Sequence, residues 1–201
     1  LPRYLTLLSQ HLDTERYEVL TEVGSLLKNI AHIKDIVNVQ QSYAKVSGVL
    51  EQLHGEDLIE DAIRINKARL NRHEVEVDRQ FSPMEPIGLD RQKVLQILVN
   101  LIKNAADALG ESENKPAIIT VSTELLDSQT VRMKVSDNGI GISEDALTRI
   151  FAHGFTTKKD GHGFGLHSGA LAAKEMGGSL MAQSKGPGKG STFILDLPFS
   201  E

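Results

Sequence analysis

The chain has 201 residues, of which 40% are hydrophobic and 24% are charged, with no cysteine and a net charge of −5. This composition is that of a globular protein with enough apolar material for a core, and the length predicts one domain with an extension or two small domains. The acidic balance argues against a general nucleic-acid surface, so we expect no nucleic-acid partner. The lack of cysteine excludes disulfides and thiolate metal sites.

No apolar run approaches the roughly 18–20 residues that cross a bilayer, and no signal peptide is visible. The chain begins at Leu1 rather than at a methionine. We therefore expect a cytoplasmic piece of a longer protein, with no direct membrane contact of its own, whose parent can still be membrane-anchored.

Residues 1 to about 45 are predicted to be helical. Apolar residues from Leu20 onward repeat at the three-four spacing of a coiled coil or four-helix bundle, although Lys34 and Gln41 interrupt it. Because nothing downstream is shaped to cover such a stripe, we favour a dimerisation segment in residues 1–50 over a helix that folds back on its own domain. The apolar positions of the stripe are Leu20, Val23, Leu27, Ile30, Val37 and Ala44.

The middle of the chain combines short β patterns with two helices. Residues 46–54 indicate a short strand or a connector, a helix starts at Glu56 or Asp57, and residues 73–81 alternate as a strand. Asp90 is predicted to cap the strongest helix of the sequence. The wide apolar face of that helix consists of Val94, Leu95, Ile97, Leu98, Leu101, Ile102, Ala105 and Leu109.

Four polar residues of this helix, Gln96, Asn100, Asn104 and Asp107, follow one stripe at spacings of four, four and three. One interpretation is the wet side of an amphipathic helix. Two asparagines one turn apart are poor helix formers, however, and a solvated face would more usually carry Glu and Lys. An asparagine oxygen is a hard neutral ligand suited to Mg²⁺, with triphosphate and water supplying the other ligands, and we assign this role to Asn104.

The second half of the chain predicts two hairpins around a glycine-rich region. Strict strand–helix alternation is absent, which predicts an α+β fold: a two-layer sandwich with helices on one face of a mixed sheet. The predicted elements are a hairpin of residues 117–125 and 130–137, helices over 144–150 (capped by Ser143) and 166–176, and a closing hairpin of residues 179–185 and 191–197.

The first hairpin ends in the sequence Asp137-Asn138-Gly139-Ile140-Gly141. An acid at a strand end can accept a hydrogen bond from the exocyclic amine of adenine, and glycines let the backbone approach the base closely. The alternative is a plain Asp-Asn-Gly turn, which is common.

A second glycine-rich segment, GHGFG (161–165), leads into a helix. Backbone N–H groups and the helix dipole favour phosphate at such a position. The segment matches neither the Walker A motif nor a convincing Rossmann fingerprint, and a flexible surface loop is the alternative. Lys158 adds charge that can reach a phosphate, and the segment between the two glycine runs is predicted to be a lid with Phe151 and Phe155 as its apolar anchors.

The closing hairpin contains GKGSTF (188–193), in which Thr192 points its hydroxyl at one face of the strand and Phe193 points at the other. A glycine-rich hairpin is the plain interpretation of this segment. The seven histidines of the chain form no zinc-binding spacing, so a zinc site is rejected.

Together and in order, these segments resemble five sequence boxes of the ATP-binding catalytic domain of two-component sensor histidine kinases. That domain shares its nucleotide-binding, Bergerat-type fold with the gyrase B subunit, the Hsp90 chaperones and the MutL repair proteins. Any single box is weak evidence, but all five in order over residues 55–198 are specific. The matching segments are NLIKNAADAL (100–109), DNGIGI (137–142), IFAHGFTTK (150–158), GHGFGLH (161–167) and GPGKGSTFILDLP (186–198).

The resemblance implies a site for Mg²⁺-ATP under a lid over roughly residues 143–163. Asn104 would hold Mg²⁺ and, with Asn100, take part in catalysis. Asp137 would read the adenine N6, and Thr192 would lie near the base. The other residues implied to bind or border the nucleotide are Asp107, Gly139, Gly141, Ile142, Lys158, Gly161, Gly163, Phe164, Gly165 and Leu166.

Residues 1–50 resemble the second helix of the family's dimerisation and phosphoacceptor module, ahead of the catalytic domain in residues 51–201. The family's acceptor histidine is followed by an acid and, a few residues on, usually by a proline. Neither His11 in HLDTER nor His32 in HIKDIV fits, so we expect the acceptor helix to be missing from this sequence. The resemblance implies a homodimer through the N-terminal helix and a response regulator receiver domain as a partner.

These features predict an ATP-dependent protein-histidine kinase, which transfers the γ-phosphoryl group to a histidine for later relay to a response regulator aspartate. The alternative is an ATP-hydrolysing conformational machine of the gyrase, Hsp90 or MutL type. Those relatives place a glutamate one helical turn before the metal asparagine to activate water, and this chain has Asn100 there, a poor base. A non-catalytic nucleotide-binding module is a third class, which the intact boxes disfavour.

Overall fold

A computed structural model describes residues 11–24, 26, 50–158 and 163–199. The chain divides into two compact units, residues 1–45 and 46–201. Within the part of the chain that the structure describes, no helix is both long and apolar enough to cross a membrane.

The first unit contains helix α1, residues 11–24. Its apolar side chains Tyr17, Leu20 and Val23 are exposed by 75%, 59% and 45%. Coverage of this face by a second copy of the chain stays a prediction. The other positions of the predicted stripe, Leu27, Ile30, Lys34, Val37, Gln41 and Ala44, lie outside the described residues.

The second unit is a two-layer sandwich built on a five-stranded mixed sheet of order β2-β4-β5-β7-β6, with a separate two-stranded sheet of β1 and β3. Strand β2 runs parallel to β4, and the other neighbours are antiparallel. The elements are β1 (Glu51–Leu53), α2 (Gly55–Arg72), β2 (Glu76–Phe81), β3 (Ile87–Leu89), α3 (Arg91–Gly110), β4 (Ile118–Leu125), β5 (Thr130–Asp137), α4 (Glu144–Leu147), α5 (Gly165–Glu175), β6 (Ser179–Gln183) and β7 (Ser191–Pro198).

Strict alternation along the central strands gives the sheet one buried face and one polar face. In β5, Val131, Met133 and Val135 are buried, whereas the intervening Arg132 and Lys134 are not. Helices α2, α3 and α5 contact the sheet on its buried side, and α3 also contacts both α2 and α5. The predicted α+β sandwich is therefore confirmed, and its core is formed by aliphatic residues of both layers.

Helix α3 is the central element of the helical layer. The Asp90 carboxylate caps it by accepting from the Lys93 N–H at 3.1 Å, as the sequence predicted. Its predicted apolar face is buried except at Leu95, which is half-buried. The buried Asn66 side chain ties α2 to it by donating to the Val99 carbonyl at 3.1 Å.

Several element boundaries differ from the prediction. Strand β2 begins at Glu76 rather than at residue 73, because Glu74 has φ +53° and interrupts an extended strand. Helix α4 ends at Leu147 rather than at residue 150, with the Thr148 hydroxyl donating to the Asp145 carbonyl at 2.8 Å. Helix α2 starts at Gly55, one residue before the first predicted start.

Strand β3 was not predicted from the sequence. The strand has three residues and pairs with β1, so that Leu53 lies opposite Ile87. Its formation depends on a partner more than thirty residues earlier in the chain, and a run of three residues is too short to show a period of two.

Candidate nucleotide-binding site

Asp137 ends strand β5 with a carboxylate that is only 8% exposed. One carboxylate oxygen accepts from the Gly139 N–H at 2.9 Å and the other accepts from the Ser191 hydroxyl at 2.6 Å. Burial raises the pKa of this carboxyl, and the hydrogen bonds from Ser191 and Gly139 oppose that rise. Lone pairs remain on both oxygens, so the group can accept a further donor such as an exocyclic amine.

The segment from Asp137 to Ile142, which we call the aspartate turn, lies against α3 because its glycines have no side chain. A Cβ on Gly139 would lie 2.7 Å from the Ala108 carbonyl oxygen, and the Ile140 N–H donates to that same oxygen at 3.2 Å. Gly141 has φ +69°, and a Cβ there would overlap the Gly186 carbonyl. The turn thus needs glycine at both positions for close backbone approach.

The aspartate turn is also fastened to the glycine-rich loop between β6 and β7. The Ser184 hydroxyl accepts from the Ile142 N–H at 3.0 Å and donates to the Gly190 carbonyl at 2.7 Å. The Gly190 N–H in turn donates to the Gly139 carbonyl at 3.2 Å. Sequence reasoning missed Ser184, since nothing in its local pattern distinguishes it from any other serine after a strand.

Thr192, which was predicted to lie near the base, does not reach Asp137. In the antiparallel pairing of β5 with β7, Ser191 lies opposite Asp137 and Thr192 lies opposite Ser136. Side chains alternate between faces, so the Thr192 hydroxyl contacts the Ser136 hydroxyl at 3.0 Å on the other face of the sheet. Ser191, rather than Thr192, is the residue of β7 whose side chain contacts Asp137.

A second group of polar side chains, Asn100, Asn104, Asp107 and Lys158, forms what we call the amide cluster. The Lys158 ammonium donates to the Asn104 amide oxygen at 3.2 Å and to the Asp107 carboxylate at 2.7 Å. The other Asp107 oxygen pairs with the Arg69 guanidinium of α2. Burial raises the pKa of Asp107, but Lys158 and Arg69 outweigh it and hold the pKa below its ordinary value.

Asn100 lies against the start of α5. Its amide nitrogen is buried and has no hydrogen-bond partner in the described structure, and a Cβ on Gly165 would overlap its amide oxygen. The side chain therefore faces the first turn of α5, where backbone N–H groups are not used within the helix. An unsatisfied buried amide next to such a helix end is in keeping with a ligand that the structure does not contain.

The described part of the predicted lid is packed down on the domain. Phe151 and Phe155 are half-buried against the core, and the Arg149 guanidinium lies 4.8 Å from the Phe155 ring centroid. The His167 ring nitrogen Nδ1 lies 2.9 Å from the Phe151 carbonyl oxygen. The His153 ring packs against the His167 ring, with 5.2 Å between the two ring centroids.

The second glycine-rich segment, residues 161–165, is described only in part. Gly161 lies outside the described residues. Gly163 approaches the lid so closely that a Cβ would overlap the carbonyl group of Gly154, and Phe164 precedes α5 with its ring 4.9 Å from that of His153. Leu166 is half-buried against the core. Gly163 and Phe164 thus bring the start of α5 into contact with the lid residues Gly154 and His153.

The aspartate turn and the amide cluster both involve the last two turns of α3: the turn contacts the Ala108 carbonyl, and the cluster includes Asn104 and Asp107. Of the predicted site residues, all that the structure describes belong to one of these groups or to the start of α5, except Thr192. Ser191 and Arg69 were not predicted from the sequence. The antiparallel register of β5 with β7 places Ser191 opposite Asp137, whereas no local signal points to Arg69.

The donor set fits a hard cation that takes most of its ligands from elsewhere. The Asn104 oxygen already faces a cation, the Lys158 ammonium. Within the described residues, no group of three or more His, Cys, Asp or Glu side chains could hold a metal ion by itself. An ion bound at Asn104 would thus need phosphate oxygens and water as its other ligands, and Mg²⁺ usually has such ligands in proteins.

Comparison with known proteins agrees with a nucleotide-binding site in this domain. Residues 89–201 match the family described as histidine kinase-, DNA gyrase B-, and HSP90-like ATPase. The sensor protein TdiS of Thauera aromatica is 33% identical over 144 residues, which are 71% of this chain and 26% of TdiS. The sensor protein FixL of Bradyrhizobium diazoefficiens is 30% identical over 173 residues, which are 86% of this chain and 32% of FixL.

Among solved structures, full-length ShkA in complex with AMPPNP superposes with a TM-score of 0.70 and 26% identity, over 84% of this chain and 36% of ShkA. The chain thus spans about a quarter to a third of the length of the curated relatives described above. The match to the family covers more than half of the chain and includes both α3 and the two glycine-rich segments. This chain belongs to the histidine kinase-, DNA gyrase B- and HSP90-like ATPase family and carries the ATP-binding catalytic domain of a sensor kinase.

Proposed function

We propose that the domain binds Mg²⁺-ATP and transfers the γ-phosphoryl group to the imidazole of a histidine on a dimerisation helix. The phosphoryl group then passes to an aspartate of a response regulator. The observation that carries the proposal is the Asn100 amide, which occupies the position one turn before Asn104. The two carboxylates of the site have other partners: Asp107 pairs with Arg69 and Lys158, and Asp137 accepts from Ser191 and Gly139.

A hydrolase of the gyrase or Hsp90 type needs a general base for water. At the position one turn before Asn104, this chain has the Asn100 amide, which cannot take up a proton at neutral pH. A histidine acceptor needs no such base, because the imidazole nitrogen of the right tautomer already offers a lone pair. The amide at residue 100 therefore favours phosphoryl transfer to a side chain over transfer to water.

Each part of the site has a role in this proposal. Asp137 accepts from the adenine amine, and the aspartate turn holds the base. Asn104 holds Mg²⁺, which when bound neutralises charge on the phosphate oxygens. Lys158 donates to the phosphates, and Asn100 positions the start of α5, whose N–H groups face them.

The partners follow from the same reasoning. A homodimer through the N-terminal helix would cover the exposed Tyr17, Leu20 and Val23 of α1. A response regulator receiver domain would accept the phosphoryl group, and the domain would act on the cytoplasmic side of the membrane.

The test supplies the acceptor helix on a longer piece of the parent protein together with ATP labelled at the γ-phosphate. We expect label on the protein that is acid-labile and base-stable, as phosphohistidine is. Steady release of phosphate without labelled protein would contradict the proposal and favour the ATPase alternative.

Asn104→Asp is the informative variant in this assay, because it replaces a neutral metal ligand by a charge beside Asp107. We expect loss of label and loss of the Mg²⁺ dependence of nucleotide binding. Asn71→Asp, at an exposed position of α2, adds the same charge away from the site and serves as the matched control.

A further inference from the structure

Arg69 lies in the last turn of α2, outside residues 89–201 and outside the five sequence boxes. Its guanidinium nevertheless pairs with one oxygen of Asp107 in the amide cluster. The other oxygen of Asp107 holds the Lys158 ammonium at 2.7 Å. One carboxylate thus stands between two cations from different parts of the domain.

The segment of α2 that carries Arg69 is fixed in place by contacts on both sides of it. One turn before Arg69, the Asn66 side chain donates to the Val99 carbonyl of α3 at 3.1 Å while only 7% exposed. One turn after it, the His73 ring packs so closely on Gly110 that a Cβ there would overlap it. The end of α2 that carries Arg69 is therefore held against α3 by the packing of the two helices, independently of any ligand.

Lys158, by contrast, donates to the Asn104 amide oxygen, which the proposed function assigns to the metal as a ligand. Its ammonium lies 3.2 Å from the Asn104 oxygen, so Mg²⁺ can reach Asn104 only when Lys158 has moved. When Lys158 leaves, the Asp107 carboxylate loses one of its two cations. A carboxylate left without compensation beside a triphosphate would repel it.

We propose that Arg69 is a positioning residue of the nucleotide site: it neutralises Asp107, so that Lys158 can pass from Asn104 and Asp107 to the phosphates of the incoming nucleotide. This inference rests on the proposed function. It makes Asp107 a support for Lys158 rather than a group that touches the nucleotide, and it extends the site to a helix that the sequence boxes do not include.

The test is a set of Mg²⁺-ATP and adenosine affinities of the 201-residue chain, measured by titration calorimetry. We expect Arg69→Gln to weaken Mg²⁺-ATP binding about fivefold, the size of a partly buried ion pair, and to leave adenosine binding unchanged. Arg69→Lys retains the charge and should restore most of the affinity. Arg64→Gln removes an arginine of the same helix that pairs with Asp61, and should change neither affinity.

The decisive arm is the same substitution in an Asp107→Asn background. Without the carboxylate there is no charge for Arg69 to neutralise, so Arg69→Gln should then have no effect on Mg²⁺-ATP affinity. An equal loss in both backgrounds, an equal loss of adenosine affinity, or no loss in either background would each overturn the inference. If the unaltered chain binds no Mg²⁺-ATP at all, the proposed function fails first, and the inference fails with it.

Discussion

The aspartate turn and the amide cluster contact the same helix, yet different kinds of interaction hold them. The aspartate turn is held by hydrogen bonds of backbone groups and serine hydroxyls. Examples are the bonds from the Gly139 N–H to Asp137 and from the Gly190 N–H to the Gly139 carbonyl. In the amide cluster, the contacts run between long side chains. Lys158 is 33% exposed and Arg69 is 38% exposed.

This difference indicates which parts of a ligand each region suits. A region fixed by backbone contacts is preorganised for a part that never changes, such as a base. A region held by exchangeable ion pairs suits the parts that come and go, the metal ion and the transferred phosphoryl group.

The fixed character of the aspartate turn is most sharply tested at Gly141. Gly141→Ala should lower the free energy of unfolding by about 3 kcal/mol, because the methyl group meets both a left-handed φ and the Gly186 carbonyl. Gly154→Ala is the matched control, since Gly154 has φ +74° but nothing within 4 Å of an added Cβ. It should cost only about 1–2 kcal/mol. Equal losses in urea unfolding would mean that the turn is not tightly packed.

Asp137→Asn should weaken binding of both ATP and adenosine by about 30-fold, the loss of one hydrogen bond to a charged group. Stability should not fall with it, because burial raises the pKa of Asp137 and an ionised group there is unfavourable. Asp78→Asn, on the polar face of the sheet, is the control. A loss of ATP affinity without a loss of adenosine affinity would place the base elsewhere.

Lys158→Gln should weaken ATP binding by about tenfold and leave adenosine binding unchanged, because the side chain acts on phosphate alone. Lys67→Gln removes an exposed lysine of α2 and should have no effect. Calorimetry with ATP, ADP and adenosine measures the affinities of both variants. If Lys158→Gln also weakened adenosine binding, the two regions would not be separable as described.

The two carboxylates should respond to pH in opposite directions. The lowered pKa of Asp107 means that its ion pairs stabilise the fold above its ordinary value of 3.8 and that this contribution is lost as pH falls through the folded pKa. Asp107→Asn should thus lose its destabilising effect at low pH. The raised pKa of Asp137 has the other sign: its contribution is present below 3.8 and is lost as pH rises through the folded pKa.

The Asp137→Asn variant should therefore become more stable, relative to the unaltered chain, as pH rises from 3.8 through the folded pKa of Asp137. Urea unfolding of the three proteins from about pH 3 to about pH 7 measures both trends. Parallel pH profiles for the two variants would contradict the assigned pKa shifts.

The sequence was sufficient for the sandwich and for the local elements that carry the candidate site. Alternation in β4 and β5, the apolar face of α3 and the Asp90 cap are local patterns, and the structure has all of them. The aspartate turn could be predicted because close backbone approach requires glycine, which is visible in the sequence.

What the sequence analysis missed depends on which strands and helices become neighbours. Thr192 and Ser191 are adjacent in sequence, and only the register of β7 against β5 decides which of them faces Asp137. Arg69 reaches Asp107 because α2 packs on α3, a contact that spans 38 residues of chain. Strand β3 likewise exists through its pairing with β1.

The most direct measurement of the central claim compares ATP with GTP in the presence of Mg²⁺. Adenine offers an exocyclic amine to the Asp137 carboxylate, and guanine presents a carbonyl at the same position. The account predicts that the chain binds ATP at least about tenfold more tightly than GTP and that Asp137→Asn removes this preference. Equal affinities in the unaltered chain, or a preference that survives the substitution, would contradict it.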